Sequence, residues 1–181
     1  MDDESPIKLT RLRDLIRDIP DFPKPGIVFK DITPMLRDQA GLSLAIEYLT
    51  QPFRAMHVQV VASAESRGFI FGTAVARNLS AGFVPIRKPG KLPAPTRRET
   101  YALEYGTDVL EIHADAVQPS DRVLLVDDVL ATGGTMQASA RLVEALGGKV
   151  IGIAVLIELT FLKGRDKLRP HPVHSILRYD D

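Results

Sequence analysis

The chain is 181 residues long, enough for one domain with a full hydrophobic core. Its 23 Lys and Arg balance its 23 Asp and Glu, so it lacks the excess positive charge with which nucleic-acid and membrane-surface binding begins. It has no cysteine, which excludes disulfides, thiol catalysis and cysteine-ligated metals.

In chain order, the acidic start Met1-Asp2-Asp3-Glu4 lacks the basic-then-apolar layout of a signal peptide. No apolar run approaches membrane-spanning length, so a cytoplasmic protein without nucleic-acid or membrane partners is expected. Ser5-Pro6 opens a helix in which Leu9, Leu12, Ile16 and Ile19 recur at helical spacing. Pro20, Pro23 and Pro25 end it and begin an extended segment, 21–34. A second helix is expected over about 38–53, burying Leu42, Ala45, Ile46 and Leu49. Strands at 58–62, 83–87, 123–126 and 150–157 then alternate with helices at 68–79 and 136–146. The alternation predicts an α/β fold, an open, mostly parallel twisted sheet flanked by helices and joined by right-handed crossovers. Residues 88–121 interrupt it. Two alternating runs, 99–105 and 109–113, flank Gly106-Thr107-Asp108 and predict a β-hairpin. The insertion, 89–121, suits a lid as well as it suits a surface hairpin with no chemical role. The whole chain, 1–181, reads as one domain.

The run Val123-Leu124-Leu125-Val126-Asp127-Asp128-Val129-Leu130-Ala131-Thr132-Gly133-Gly134-Thr135 carries the most chemistry. Its apolar start makes a short buried strand that should end at the paired carboxylates. In open parallel sheets, ligands bind beyond the carboxyl ends of the strands. The Gly-rich turn presents backbone N–H groups, and the following helix adds partial positive charge, so Ala131 to Thr135 can cradle a phosphate. Thr132 and Thr135 can add hydroxyl donors. Asp127 and Asp128 repel a phosphate but suit a ribose diol or the water shell of a magnesium ion. A phosphate site beside a diol site describes a ribose 5-phosphate. An ordinary strand-to-helix turn is the plainer reading of any one part; the complete order outweighs it. Neither a P-loop nor a dinucleotide fingerprint is present.

Ala64-Glu65-Ser66-Arg67-Gly68 also follows a strand and opens a helix, and Arg87-Lys88 and Lys91 follow another strand. Taken singly, these are a capped turn and a solvated basic loop. Their strands end on one edge of the sheet, however, so their cations should converge on one crevice. A diphosphate needs such charge, most of all as it leaves. The histidines point nowhere in particular. His171 and His174 are flanked by Pro170 and Pro172, which argues against a helical metal pair, and His57 and His113 read as structural. No zinc spacing or nucleophile elbow occurs.

The stretch from Val126 to Thr135 resembles the ribose-phosphate signature of the type I phosphoribosyltransferases. The chain also carries Asp21-Phe22-Pro23-Lys24-Pro25-Gly26-Ile27-Val28-Phe29-Lys30-Asp31, Glu65-Ser66-Arg67-Gly68-Phe69, Arg87-Lys88-Pro89-Gly90-Lys91-Leu92-Pro93 and Tyr101-Ala102-Leu103-Glu104-Tyr105-Gly106. In that order they are similar to the adenine-specific members of the family, over nearly the whole chain, 21–179. The resemblance implies transfer of a phosphoribosyl group to adenine, giving AMP. It puts Asp127 and Asp128 on the ribose hydroxyls and Ala131, Thr132, Gly133, Gly134 and Thr135 on the 5-phosphate. Glu65, Ser66, Arg67, Arg87, Lys88 and Lys91 fall around the diphosphate, with Arg87 reaching in from a partner subunit in some members. Val28, Phe29, Lys30 and Leu159 fall around adenine, which makes 1–34 the base-side segment. Glu104, on the hairpin, becomes the acid/base. Magnesium carried by the substrate and a homodimer are implied as well.

Two positions depart from the pattern. Lys30 stands where arginine is usual, and either reaches toward the base or else points to solvent or pairs with Asp31. Ser63 and Ala64 stand where a glycine is common, before a turn that often holds a cis peptide, here Glu65–Ser66. The rival readings are a transferase for an oxo-purine such as xanthine, and a non-enzymatic sensor of purine or phosphoribosyl diphosphate. The Leu103-Glu104-Tyr105 lid segment and the zero net charge weigh against the sensor.

Overall fold

The computed structural model describes residues 5–102 and 106–180. The chain divides into two compact units, Met1–Tyr48 and Leu49–Asp181.

The first unit holds α1 (Ser5–Asp14), β1 (Arg17–Ile19), β2 (Phe29–Asp31), α2 (Thr33–Arg37) and most of α3 (Gln39–Thr50). The first helix stops at Asp14 and does not reach Ile19. Leu12 and Ile16 are buried, as their spacing requires. Arg17–Ile19 instead pairs antiparallel with Phe29–Asp31. Pro20 disfavours helical backbone at Ile19, and two ion pairs reward the strand: Arg17 Nη2 to Asp31 Oδ2 at 2.6 Å and Lys30 Nζ to Asp18 Oδ1 at 2.9 Å. The segment expected to be merely extended is therefore half of a small ladder. Asp38 caps α3, its Oδ1 accepting the Gly41 N–H at 2.6 Å. Ala45 and Leu49 are buried on that helix, while Leu42 and Ile46 are half-buried.

The second unit is built on a five-stranded sheet in the order β4-β3-β7-β8-β9, parallel throughout. The strands are β3 (Val60–Ala64), β4 (Gly82–Ile86), β7 (Arg122–Leu130), β8 (Lys149–Leu159) and β9 (Val173–Tyr179). Helix α4 (Gly68–Asn78) links β3 to β4, and α5 (Gly134–Ala145) links β7 to β8. They cover opposite faces. Ser63 lies against Gly72 of α4, while its neighbour Ala62 joins the cluster that contains Met136, Ala140 and Val143 of α5. The hairpin strands β5 (Thr96–Ala102) and β6 (Thr107–His113) pair antiparallel from Thr96↔His113 to Ala102↔Thr107. Tyr101, Leu110 and Ile112 place the hairpin stem inside that same cluster, so the stem is a wall of the core.

Two expectations fail here. The strand expected at 123–126 runs through both carboxylates to Leu130, because β8 keeps pairing with it as far as Leu130↔Glu158. The edge strand β9 is absent from the sequence reading. Its residues are mostly half-buried, and prolines at 170 and 172 disguise its start.

Candidate active site

The sheet order places the site. The chain leaves β3 toward one edge and β7 toward the other, so a crevice opens between them at their carboxyl ends. Pairing of β3 with β7 stops at Ala62↔Leu125, while β7 continues beside β8. Asp127 and Asp128 therefore stand on a strand that has lost one neighbour. Asp127 Oδ1 accepts the Asp128 N–H at 2.9 Å, and Asp128 Oδ2 lies 2.9 Å from Arg67 Nε. Burial pushes the Asp127 carboxyl well up, and the adjacent Asp128 charge adds to this. Burial also raises Asp128, opposed by Arg67. Such a pair gains by meeting hydroxyl donors.

Beyond Leu130 the chain turns through Gly133, left-handed at φ +82°, into α5. The first N–H groups of α5 have no helical partner and face the turn. A cavity of about 330 Å³ is lined by residues 65–67 and 127–136. It gathers the acid pair, the whole Ala131 to Thr135 cradle, Glu65, Ser66 and Arg67. The Glu65–Ser66 peptide is cis. Thr135 is not a spare donor; its hydroxyl donates to Tyr101 Oη at 3.3 Å, tying the cradle to the hairpin.

A sequence model described as the phosphoribosyl transferase domain matches residues 35–177. The adenine phosphoribosyltransferase of Koribacter versatilis is 54% identical over 169 residues, 93% of each chain. The chain belongs to the adenine phosphoribosyltransferases. The crystal structure of the family member from Thermoanaerobacter pseudethanolicus is 53% identical, covers 94% of this chain and 99% of its own, and superposes with a TM-score of 0.92. The Saccharomyces cerevisiae adenine phosphoribosyltransferase, crystallised with adenine and an imino-altritol bisphosphate, is 38% identical with a TM-score of 0.90, covering 95% and 99% of the two chains.

Of the remaining cations of this adenine phosphoribosyltransferase, Arg87 and Lys88 are each matched to a carboxylate. Arg87 Nε donates to Glu65 Oε2 at 2.7 Å, and the Arg87 backbone bridges to that of Glu111. The Lys88 ammonium pairs with Asp108 of β6, 6.0 Å from the Tyr101 ring centre. Tyr101 Oη also donates to Asp108, at 3.2 Å. Lys91 is exposed. Arg67 thus lines the cavity, Arg87 reaches its wall through Glu65, and Lys88 is turned to the hairpin. Tyr101 opens one of the quoted motifs and Asp108 falls in the expected hairpin turn, but neither place in the sequence signals a partnership with Lys88, which rests on the register that pairs Tyr101 with Asp108.

The base-side residues divide between the units. Leu159 ends β8 and is half-buried. Val28 is exposed, and Phe29 meets Phe22 edge to face at 5.2 Å. Lys30 Nζ pairs with Asp18, while the Asp31 carboxylate is held by Arg17 and Thr33. Glu104 lies outside the described residues.

Proposed function

We propose that the cavity transfers a phosphoribosyl group, converting adenine and 5-phosphoribosyl 1-diphosphate to AMP and diphosphate. One observation carries the assignment: an acid pair and a Gly-rich helix start share one cavity, as the diol and the phosphate of one ribose 5-phosphate require. Asp127 and Asp128 take the ribose hydroxyls, and Ala131, Thr132, Gly133, Gly134 and Thr135 the 5-phosphate. Glu65, Ser66, Arg67, Arg87, Lys88 and Lys91 attend the diphosphate. Val28, Phe29, Lys30 and Leu159, with the segment 1–34, form the base side of a single phosphoribosyltransferase domain, and the 89–121 hairpin carries Glu104. The bond from adenine nitrogen 9 to the anomeric carbon forms as the bond to the diphosphate oxygen breaks. The electron pair of that bond leaves with the diphosphate, and the adenine proton passes to Glu104. The sugar gains oxocarbenium character, as in glycosyl transfer.

Among the described residues no three His, Asp or Glu side chains gather into a metal cage, whereas the acid pair suits the water shell of an ion that enters on the substrate. Magnesium held in this way would neutralise charge on the departing diphosphate. No described helix is long and apolar enough to cross a membrane. Likeness to the family supports a cytoplasmic homodimer. The test is AMP formation from adenine, with hypoxanthine, xanthine and guanine as alternatives. Adenine should react far faster than the others, and equal turnover of an oxo-purine would overturn the base assignment.

A further inference from the structure

Gly164 touches the phosphate loop more closely than any other residue type could. A Cβ on Gly133 would fall 2.5 Å from the Gly164 carbonyl oxygen. A Cβ on Gly164 would overlap the Ala131 carbonyl oxygen and come within 2.9 Å of the Gly133 nitrogen. The left-handed backbone of Gly133 already calls for glycine. Gly164 has no such reason; its bare Cα serves the close approach alone. It opens a 3₁₀ turn, Gly164–Leu168, and the next residue anchors that turn. Arg165 Nε donates to Glu158 Oε1 at 2.8 Å, its Nη2 to Glu158 Oε2 at 2.5 Å, and its Nη1 to the Val173 carbonyl at 2.7 Å. Glu158 is buried on β8, opposite Leu130 of β7, and Ser175 of β9 donates to it at 2.6 Å. Gln137 Nε2 ties the far part of the turn to α5 through the Lys167 carbonyl at 2.9 Å.

We propose that Glu158, Arg165 and Gly164 form a positioning brace for the 5-phosphate cradle. The planar fork on Glu158 fixes the 3₁₀ turn, and the bare backbone of Gly164 sets the height of the Ala131–Gly133 loop. A two-pronged arginine–carboxylate contact holds direction as well as distance, which a lysine cannot reproduce. Neither Glu158 nor Arg165 is among the residues that line the cavity. The brace rests on the assignment of residues 131–135 to the 5-phosphate.

The probes are ribose 5-phosphate and inorganic diphosphate, titrated calorimetrically against the full chain. Gly164→Ala should weaken ribose 5-phosphate about tenfold or more, since small misplacements of a binding loop are costly. Diphosphate should change less than about twofold, because its cations lie off the braced loop. Arg165→Lys keeps the charge and loses the fork, and should weaken ribose 5-phosphate about three- to tenfold. In turnover, the KM for phosphoribosyl diphosphate should rise while the KM for adenine and kcat hold; a merely structural defect would lower kcat or the amount of folded protein and would not single out one KM. If Gly164→Ala fails to fold, Arg165→Lys decides. Ribose 5-phosphate bound equally by the unaltered chain and by folded Arg165→Lys would overturn the brace. Failure of the unaltered chain to bind it would overturn the cradle assignment itself.

Discussion

Asp108→Asn isolates the one cation that the hairpin diverts. The Lys88 ammonium is paired with Asp108, so a diphosphate must displace a carboxylate to reach it. Asparagine keeps the size of the side chain and an acceptor for Tyr101, whose hydroxyl lies 3.2 Å away, and removes the charge. The side chains of Lys88 and Asp108 are 40% and 27% exposed, which places the pair in the partly solvated class. A pair of that kind contributes roughly 0.5–1 kcal/mol, far below the unscreened Coulomb figure. Releasing Lys88 should therefore lower the KM for phosphoribosyl diphosphate by about two- to fivefold. The KM for adenine should hold. The measurement is initial velocity at saturating adenine, at low and high ionic strength. The gain should shrink with salt, because screening already weakens the Lys88–Asp108 pair in the unaltered protein. An unchanged or raised KM at low salt would refute the view that Asp108 competes with substrate for Lys88.

Two further outcomes follow from the charges. The Asp127 carboxyl sits well above the ordinary 3.8 through burial and the Asp128 charge; above 3.8 the folded chain therefore holds a proton that the unfolded chain has released, and this group's contribution to stability falls as pH rises through its folded value. Affinity for phosphoribosyl diphosphate should run the opposite way, weakening as acid protonates the pair. Asp31 and Glu158 are held low and push whole-chain stability the other way. The readout is therefore the difference in thermal unfolding between the unaltered chain and Asp127→Asn, and a difference that rises with pH alongside substrate affinity would refute the assignment. Lys30→Arg should change the KM for adenine by less than about twofold, because the side chain of Lys30 is 9% exposed and pairs with Asp18 within the β1–β2 ladder; a fivefold drop would show that the side chain, and not only the backbone, of this base-side residue serves adenine.

The central strands and both flanking helices were readable because their apolar runs and helical spacing have no competing explanation. The residues proposed for the site stood out for a different reason: Asp127 to Thr135 is contiguous, so one stretch of sequence brings an acid pair and a Gly-rich helix start to one cavity. What sequence could not supply was any partnership between distant residues. The helical spacing of Leu9, Leu12, Ile16 and Ile19 was genuine as far as Asp14, and then lost to a ladder with residues far ahead in the chain. The carboxylates were expected at a strand end, but β8 extends the strand past them. Lys88, Asp108 and Tyr101 meet only through the hairpin register, and Gly164 meets Gly133 only because β8 and β9 carry their connecting turn back over the cradle.

The pairing of charges at the site bears on selectivity. Arg67 faces Asp128, Arg87 faces Glu65, and Lys88 faces Asp108. The balance of the whole chain, 23 of each sign, is thus repeated at the crevice. An unpaired triple cation would draw any phosphate, and would repel itself when empty. With Arg67, Arg87 and Lys88 already matched, an anion must repay a displaced carboxylate before it gains from any of these three. Bare phosphate satisfies the cations and leaves Asp127 and Asp128 crowded and buried. A ligand that brings anionic oxygens and a diol on one frame compensates both signs at once. Discrimination then comes from what the wrong ligand leaves unpaired, more than from added attraction to the right one.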